Sequence, residues 1–162
     1  MRESKPTFNI DNNSDSKIAI ITASWNSEFN EEMAESAKEA LQEHGVAMEE
    51  FVVPGALELP IMAQQLVQTG DFDAVICFAT IFRGETLHFE LVANESARGL
   101  MDVSLTFNVP VLNGILACEN KEQAETRASR NKEDKGREVA LSAIALVQQI
   151  AQIDSRYHVV QG

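Results

Sequence analysis

Ala74-Val75-Ile76-Cys77-Phe78-Ala79 is an unbroken apolar run, preceded by Asp71 and Asp73 and followed by Thr80. A run so short and so apolar reads as a strand buried on both faces, which places it in the middle of a parallel sheet covered by helices. Outward from it, Lys17-Ile18-Ala19-Ile20-Ile21-Thr22-Ala23 is a similar run rich in β-branched residues. Residues 46–53 form a further strand, broken by Pro54-Gly55, and residues 111–116 form a fourth after Pro110. Between the strands the apolar period changes to that of a helix. Phe29, Met33, Ala37, Ala40 and Leu41 share one face, acids lie mostly off it, and Gly45 stops the segment. A helix over 57–69 turns Leu59, Met62, Ala63, Leu66 and Val67 inward and ends at Gly70. A loop at 82–87 leads into a helix at about 88–107, with Leu91, Val92, Ala97, Leu100, Val103 and Leu105 as its apolar set. Two last helices, at about 121–129 and 135–153, are joined by a charged stretch at 130–134. The final one has a broad apolar face of Val139, Ala143, Leu146, Val147, Ile150 and Ile153.

Strands alternating with helices define the α/β class. The expected architecture is a three-layer α/β/α sandwich, flavodoxin-like, around a central parallel sheet of about four strands. A chain of 162 residues is one domain's worth, long enough to bury a core. The expected division is a polar leader at 1–16, a single domain at 17–156 and a tail at 157–162.

With 25 acids against 13 strong bases, the net charge is −12. Such a field repels polyanions, so neither nucleic acid nor a membrane surface is an expected partner. The longest strongly apolar stretch is far too short to span a bilayer, and the leader lacks the apolar core of a secretory signal. Cys77 and Cys118 form neither a CxxC pair nor a zinc spacing, so no metal and a cytoplasmic location are expected. Cys77 reads as a small buried hydrophobe, and Cys118 has no His close in sequence to activate it.

In open sheets of this kind, ligands bind beyond the carboxyl ends of the strands. That rule selects Ser24-Trp25-Asn26, Pro54-Gly55-Ala56-Leu57-Glu58, residues 80–88 and residues 113–120. Neither GxGxxG nor GxxxxGK[ST] occurs, so dinucleotide and P-loop sites have no support. Arg83-Gly84-Glu85-Thr86-Leu87-His88 instead offers a glycine, free N–H groups and a hydroxyl at a helix start, where an anion can be cradled. His88 is the best acid–base candidate because imidazole titrates near neutral pH, against the plainer reading of a structural histidine. His44 reads as a favourable charge at a helix C-terminus, and His158 lies in the tail. Trp25 suits stacking on a heteroaromatic ring and suits packing on its own helix equally well. Glu58 stands where the helix dipole favours any acid, and Arg127 and Lys135 sit among acids as solvent-facing charges commonly do.

Taken together in order, these segments resemble the lumazine synthase family from about residue 17 to 150. The motifs are Trp25-Asn26; Val53-Pro54-Gly55-Ala56-Leu57-Glu58-Leu59-Pro60; Arg83-Gly84-Glu85-Thr86-Leu87-His88-Phe89; Asn113-Gly114-Ile115-Leu116; Glu122-Gln123-Ala124; Arg127-Ala128; and Lys135-Gly136. The resemblance implies condensation of 5-amino-6-(ribitylamino)uracil with 3,4-dihydroxy-2-butanone 4-phosphate to give 6,7-dimethyl-8-ribityllumazine, without metal or organic cofactor. It implies that Trp25 stacks on the pyrimidine and that Ala56, Leu57 and Glu58 bind ring and ribityl chain. Thr80, Ile81 and Phe82 would add contacts to that substrate, largely through backbone. Glu85, Thr86 and Arg127 would hold the phosphate, and His88 would carry protons. Asn113 and Arg127 would reach the site from an adjacent subunit of a homo-oligomer built on pentamers, with an icosahedral shell as a further possibility.

Three departures from the family pattern stand out. Asn113 replaces a common aromatic, Thr126 replaces the acid usual before the arginine, and the glycine-containing joint before Lys135 is Ser129-Arg130-Asn131-Lys132-Glu133-Asp134. The competing class is a non-catalytic lumazine or flavin carrier, or a shell-forming scaffold, of the same fold. Retention of both His88 and Arg127 argues against it, because a carrier needs the stacking pocket but not a phosphate clamp. A receiver domain would want clustered acids after the first strand, and Ser24-Trp25-Asn26 supplies none.

Overall fold

A computed structural model describes residues 4–12 and 15–157; His158 and the remainder of the tail lie outside the described residues. The strands are β1 (Lys17–Ala23), β2 (Ala47–Val53), β3 (Ala74–Phe82) and β4 (Val111–Cys118). They make one sheet in the order β2-β1-β3-β4, with every neighbouring pair parallel. Five helices connect and flank them: α1 (Ser27–Glu43), α2 (Leu59–Val67), α3 (His88–Phe107), α4 (Lys121–Ala128) and α5 (Lys135–Arg156). The α1, α4 and α5 helices close one face and α2 and α3 the other.

The strand pleat divides the core cleanly. Ile18, Ile20, Ile76 and Phe78 face α1 and α5, whereas Ala19, Ile21, Val75, Cys77 and Ala79 face α2 and α3. This is the three-layer flavodoxin-like sandwich, with the run 74–79 fully inside as its lack of polar residues requires. Strand order turns back between β1 and β3, so the connections leaving these neighbours diverge to opposite faces and leave a crevice between them.

Several boundaries differ from expectation. Thr80, Ile81 and Phe82 belong to β3, because β4 also runs on and pairs with it as far as Phe82 and Cys118. The α2 helix starts at Leu59, after a 3-10 turn at Ala56–Glu58, with Pro60 in its first turn where no N–H is missed. On α3 the sheet-facing stripe is Val92, Ser96, Leu100 and Val103, leaving Leu91 and Leu105 exposed. On α5, Ala140 and Ile144 take core positions, while Leu146 and Ile153 face outward. Described leader residues form no strand beside β2. Asp11 and the Gln148 side chain on α5 exchange two hydrogen bonds, and Ile10 rests on the α1–α5 side of the core.

Two glycines permit close approaches. A Cβ on Gly114 would stand 2.5 Å from the Phe78 ring, its β3 partner in register. A Cβ on Gly136 would stand 2.1 Å from the Met33 carbonyl oxygen, so α5 crosses α1 backbone to side-chain-free backbone. Asp134, in the left-handed region at φ 48°, fixes that crossing. Its carboxylate accepts from the Ser36 hydroxyl at 2.5 Å and from the Arg137 N–H at 3.4 Å. Among the described residues no helix is long and apolar enough to cross a membrane, and no group of three His, Cys, Asp or Glu could hold a metal.

Candidate active site

A cavity of about 420 Å³ opens where β1 and β3 end. Its wall comes from Trp25 and Asn26 after β1, Gly55 through Glu58 after β2, Ala79 through Phe82 of β3, and His88, Phe89 and Val92 of α3. Eight of the residues singled out in the sequence therefore converge: Trp25, Ala56, Leu57, Glu58, Thr80, Ile81, Phe82 and His88. Trp25 is 75% exposed, which removes the alternative that it packs into its own helix. The indole lies beside Gly55, where a Cβ would meet Trp25 Cδ1 at 3.3 Å and Glu58 Oε2 at 3.6 Å. An apolar plane and a carboxylate thus border the same side of the cavity. That pairing suits a flat heterocycle carrying N–H or hydroxyl donors.

Backbone hydrogen bonds hold the turn that carries Trp25. The Ser24 N–H donates to the Val53 carbonyl at 2.9 Å, and the Trp25 N–H donates to the Pro54 carbonyl at 3.2 Å. Asn26 sits in the left-handed region at φ 61°, a conformation that asparagine tolerates, and its Nδ2 donates to the Thr80 carbonyl at 2.7 Å. Asn30, wholly buried on α1, donates to the carbonyls of Ala23 and Trp25 at 2.8 Å each and accepts from the Thr80 hydroxyl at 2.7 Å. Sequence reasoning missed Asn30. Its only signal was a polar residue on the apolar side of α1, next to Phe29.

The segment between β3 and α3 presents donors without acceptors. The backbone N–H groups of Gly84, Glu85 and Thr86 donate to no group among the described residues, and the Thr86 hydroxyl accepts from the His88 N–H at 3.3 Å. Glu85 and Thr86 are exposed beside the cavity mouth and do not line it. Arg83 is unsuited to an incoming anion. Its guanidinium pairs with Glu90 and Glu119 and lies over the Phe89 ring, 4.7 Å from its centre. The Glu90 carboxyl is held below its usual range, first by its own backbone N–H and then by Arg83.

Arg127 contrasts with Arg83. It is exposed in the last turn of α4 and forms no ion pair among the described residues, although the chain has nearly twice as many acids as bases. Lys135, by comparison, has Glu138 3.4 Å away. Arg127 does not line the cavity of its own chain, and neither does Asn113, an exposed residue of the outer strand β4 whose side chain accepts from the Ile115 N–H. Cys118 closes β4 and is buried, which pushes its thiol pKa up, while the Arg127 charge opposes that rise. Burial likewise drives the Cys77 thiol far up, and neither cysteine touches the cavity.

Trp25 and Leu57 of the cavity wall are exposed, as are Val52, Ile61, Leu87 and Leu91, and Met101 and Leu105 farther along α3. Exposed apolar side chains in this number suit an interaction face.

Fold and site together define a class: an α/β sandwich with a small-molecule cavity at its β1–β3 crevice, an imidazole at the cavity wall and an apolar rim. Residues 15–151 match the family model of 6,7-dimethyl-8-ribityllumazine synthase, and the chain belongs to that family. Membership places it among transferase-type enzymes of riboflavin biosynthesis, which act on small molecules as oligomeric assemblies.

Proposed function

We propose that this chain condenses 5-amino-6-(ribitylamino)uracil with 3,4-dihydroxy-2-butanone 4-phosphate, releasing phosphate and water and forming 6,7-dimethyl-8-ribityllumazine. The observation that carries the reading is the convergence of Trp25, Glu58 and His88 on one cavity at the crevice. In this reading the pyrimidine stacks on Trp25, and Ala56, Leu57 and Glu58 take the ring edge and ribityl chain. The strand end at Thr80, Ile81 and Phe82 adds further contacts. The Glu85 and Thr86 N–H groups and the Thr86 hydroxyl receive the phosphate, and Arg127 supplies its counter-charge, with Asn113 and Arg127 arriving from a neighbouring subunit.

The chemistry suits these residue types. The substrate amine attacks a ketone and water leaves to form an imine; phosphate is then eliminated, and closure of the ring by the ribitylamino nitrogen onto the remaining carbonyl releases a second water. Each step moves protons and leaves no covalent enzyme intermediate, so positioning and a near-neutral base suffice. His88 at the cavity wall is that base. Arg127 fits phosphate because its planar fork binds two oxygens without losing charge. That it forms no ion pair among the described residues favours this role over that of a structural ion pair, and favours an enzyme over a flavin carrier.

Two measurements check the reading. Trp25 is the only tryptophan, so its fluorescence should change saturably when the aminouracil is added. Unchanged emission where calorimetry shows saturation would remove it from the stacking position. The exposed apolar rim and α3 stripe should be covered in a pentamer, or in a larger assembly of pentamers. Sedimentation at moderate salt is expected to show no stable monomer, whereas a monomer at micromolar concentration would contradict the shared site.

A further inference from the structure

We propose that Asn30 is a positioning residue of this site, holding the Trp25 turn and the end of β3 in the relation that ligand binding needs. The inference rests on the aminouracil reading for its ligand, but the geometry behind it does not. Asn30 lies on α1, is wholly buried and does not line the cavity. Each hydrogen bond of its side chain goes to a site segment. One amide N–H holds the Ala23 carbonyl at the end of β1, the other holds the Trp25 carbonyl, and Oδ1 receives the Thr80 hydroxyl proton.

Both sides of the Trp25 backbone are therefore tied, its N–H to Pro54 and its carbonyl to Asn30. The next residue, Asn26, is tied in turn to the Thr80 carbonyl. Thr80 is thus gripped at its hydroxyl by one asparagine and at its carbonyl by the other. A tryptophan that is three-quarters exposed has little side-chain packing to orient it, so its direction is set by backbone held from below. Only a primary amide serves all three partners. Aspartate would set a charge against two carbonyls, and leucine would leave both carbonyls unpaired in a buried place. The network has no unpaired buried side-chain atom, which is the condition under which a buried polar cluster specifies one geometry.

The test is Asn30→Ala in the full chain, read in three ways. Without ligand, Trp25 fluorescence anisotropy should fall, because the turn is released. The KM for the aminouracil should rise by roughly ten- to a hundredfold, the scale of a binding group displaced by about an ångström. Inhibition by inorganic phosphate should stay within about twofold of wild type, since the phosphate donors lie in another segment. An equal loss of both affinities would make Asn30 a general structural residue and overturn the inference, as would wild-type anisotropy in a folded variant. Should Asn30→Ala not fold, Asn30→Ser carries the same three readouts, because it leaves room for a water to reach the two carbonyls. If the wild-type protein does not bind the aminouracil, that reading fails by itself, and ligand-free anisotropy still decides the role of Asn30.

Discussion

Replacing His88 with alanine is expected to lower kcat by roughly ten- to ten-thousand-fold, while inorganic phosphate remains as good a competitor as before. The lower end reflects a reaction whose imine step also proceeds without a catalyst, so that positioning alone retains part of the rate. Arg127→Ala should behave differently. Affinity for the butanone phosphate should fall by roughly ten- to a hundredfold, the scale of a lost charge-assisted bond. Its kcat should fall as well, because the departing phosphate needs that partner in the transition state. Steady-state kinetics with each substrate varied separately distinguishes the two patterns. If His88→Ala turns over at the wild-type rate, the histidine is structural. If Arg127→Ala keeps full phosphate affinity, the clamp lies elsewhere, and Lys135 is a better candidate than Arg83, whose charge is already met by Glu90 and Glu119.

Gly136→Ala should destabilise the protein by about 3 kcal/mol, the upper range for overpacking, because the new methyl meets the Met33 backbone and not the end of a flexible side chain. Alanine would gain about 1 kcal/mol over glycine in helix propensity, which is too little to offset that contact. Thermal unfolding at fixed protein concentration should shift down by roughly 6–12 °C. Gly84→Ala, where a Cβ meets nothing within 4 Å, serves as the control and should leave the midpoint in place. Equal midpoints for the two variants would mean that the α1–α5 crossing yields readily.

Most of the architecture was legible because burial leaves a periodic trace. The run 74–79 had to be central, since a strand flanked by helices on both faces needs no polar residue. Strand ends were less legible. Whether Thr80 through Phe82 stay in β3 depends on how far β4 runs beside them, a non-local fact. Glycine spacing showed that Gly114 and Gly136 were present but not why, because the atoms they make room for belong to Phe78 and Met33.

The site divides along the same line. Trp25, Glu58 and His88, which line the cavity, all follow strand ends, so sequence order and topology point to them. Asn30 escaped that rule because it lies a turn into a helix and acts from beneath. The exposure of Leu91 and Leu105 was legible only as a surplus of apolar residues on α3, more than the sheet-facing stripe of Val92, Leu100 and Val103 can use.

If this cavity joins an aminouracil to a butanone phosphate, mixing both with the purified protein should generate the absorbance and fluorescence of the lumazine product. The chromophore should appear at a rate proportional to enzyme concentration, with one inorganic phosphate released per product and no added metal or organic cofactor. Product formation no faster than in protein-free buffer, under conditions where Trp25 reports saturation by the aminouracil, would contradict it and leave a binding protein in its place.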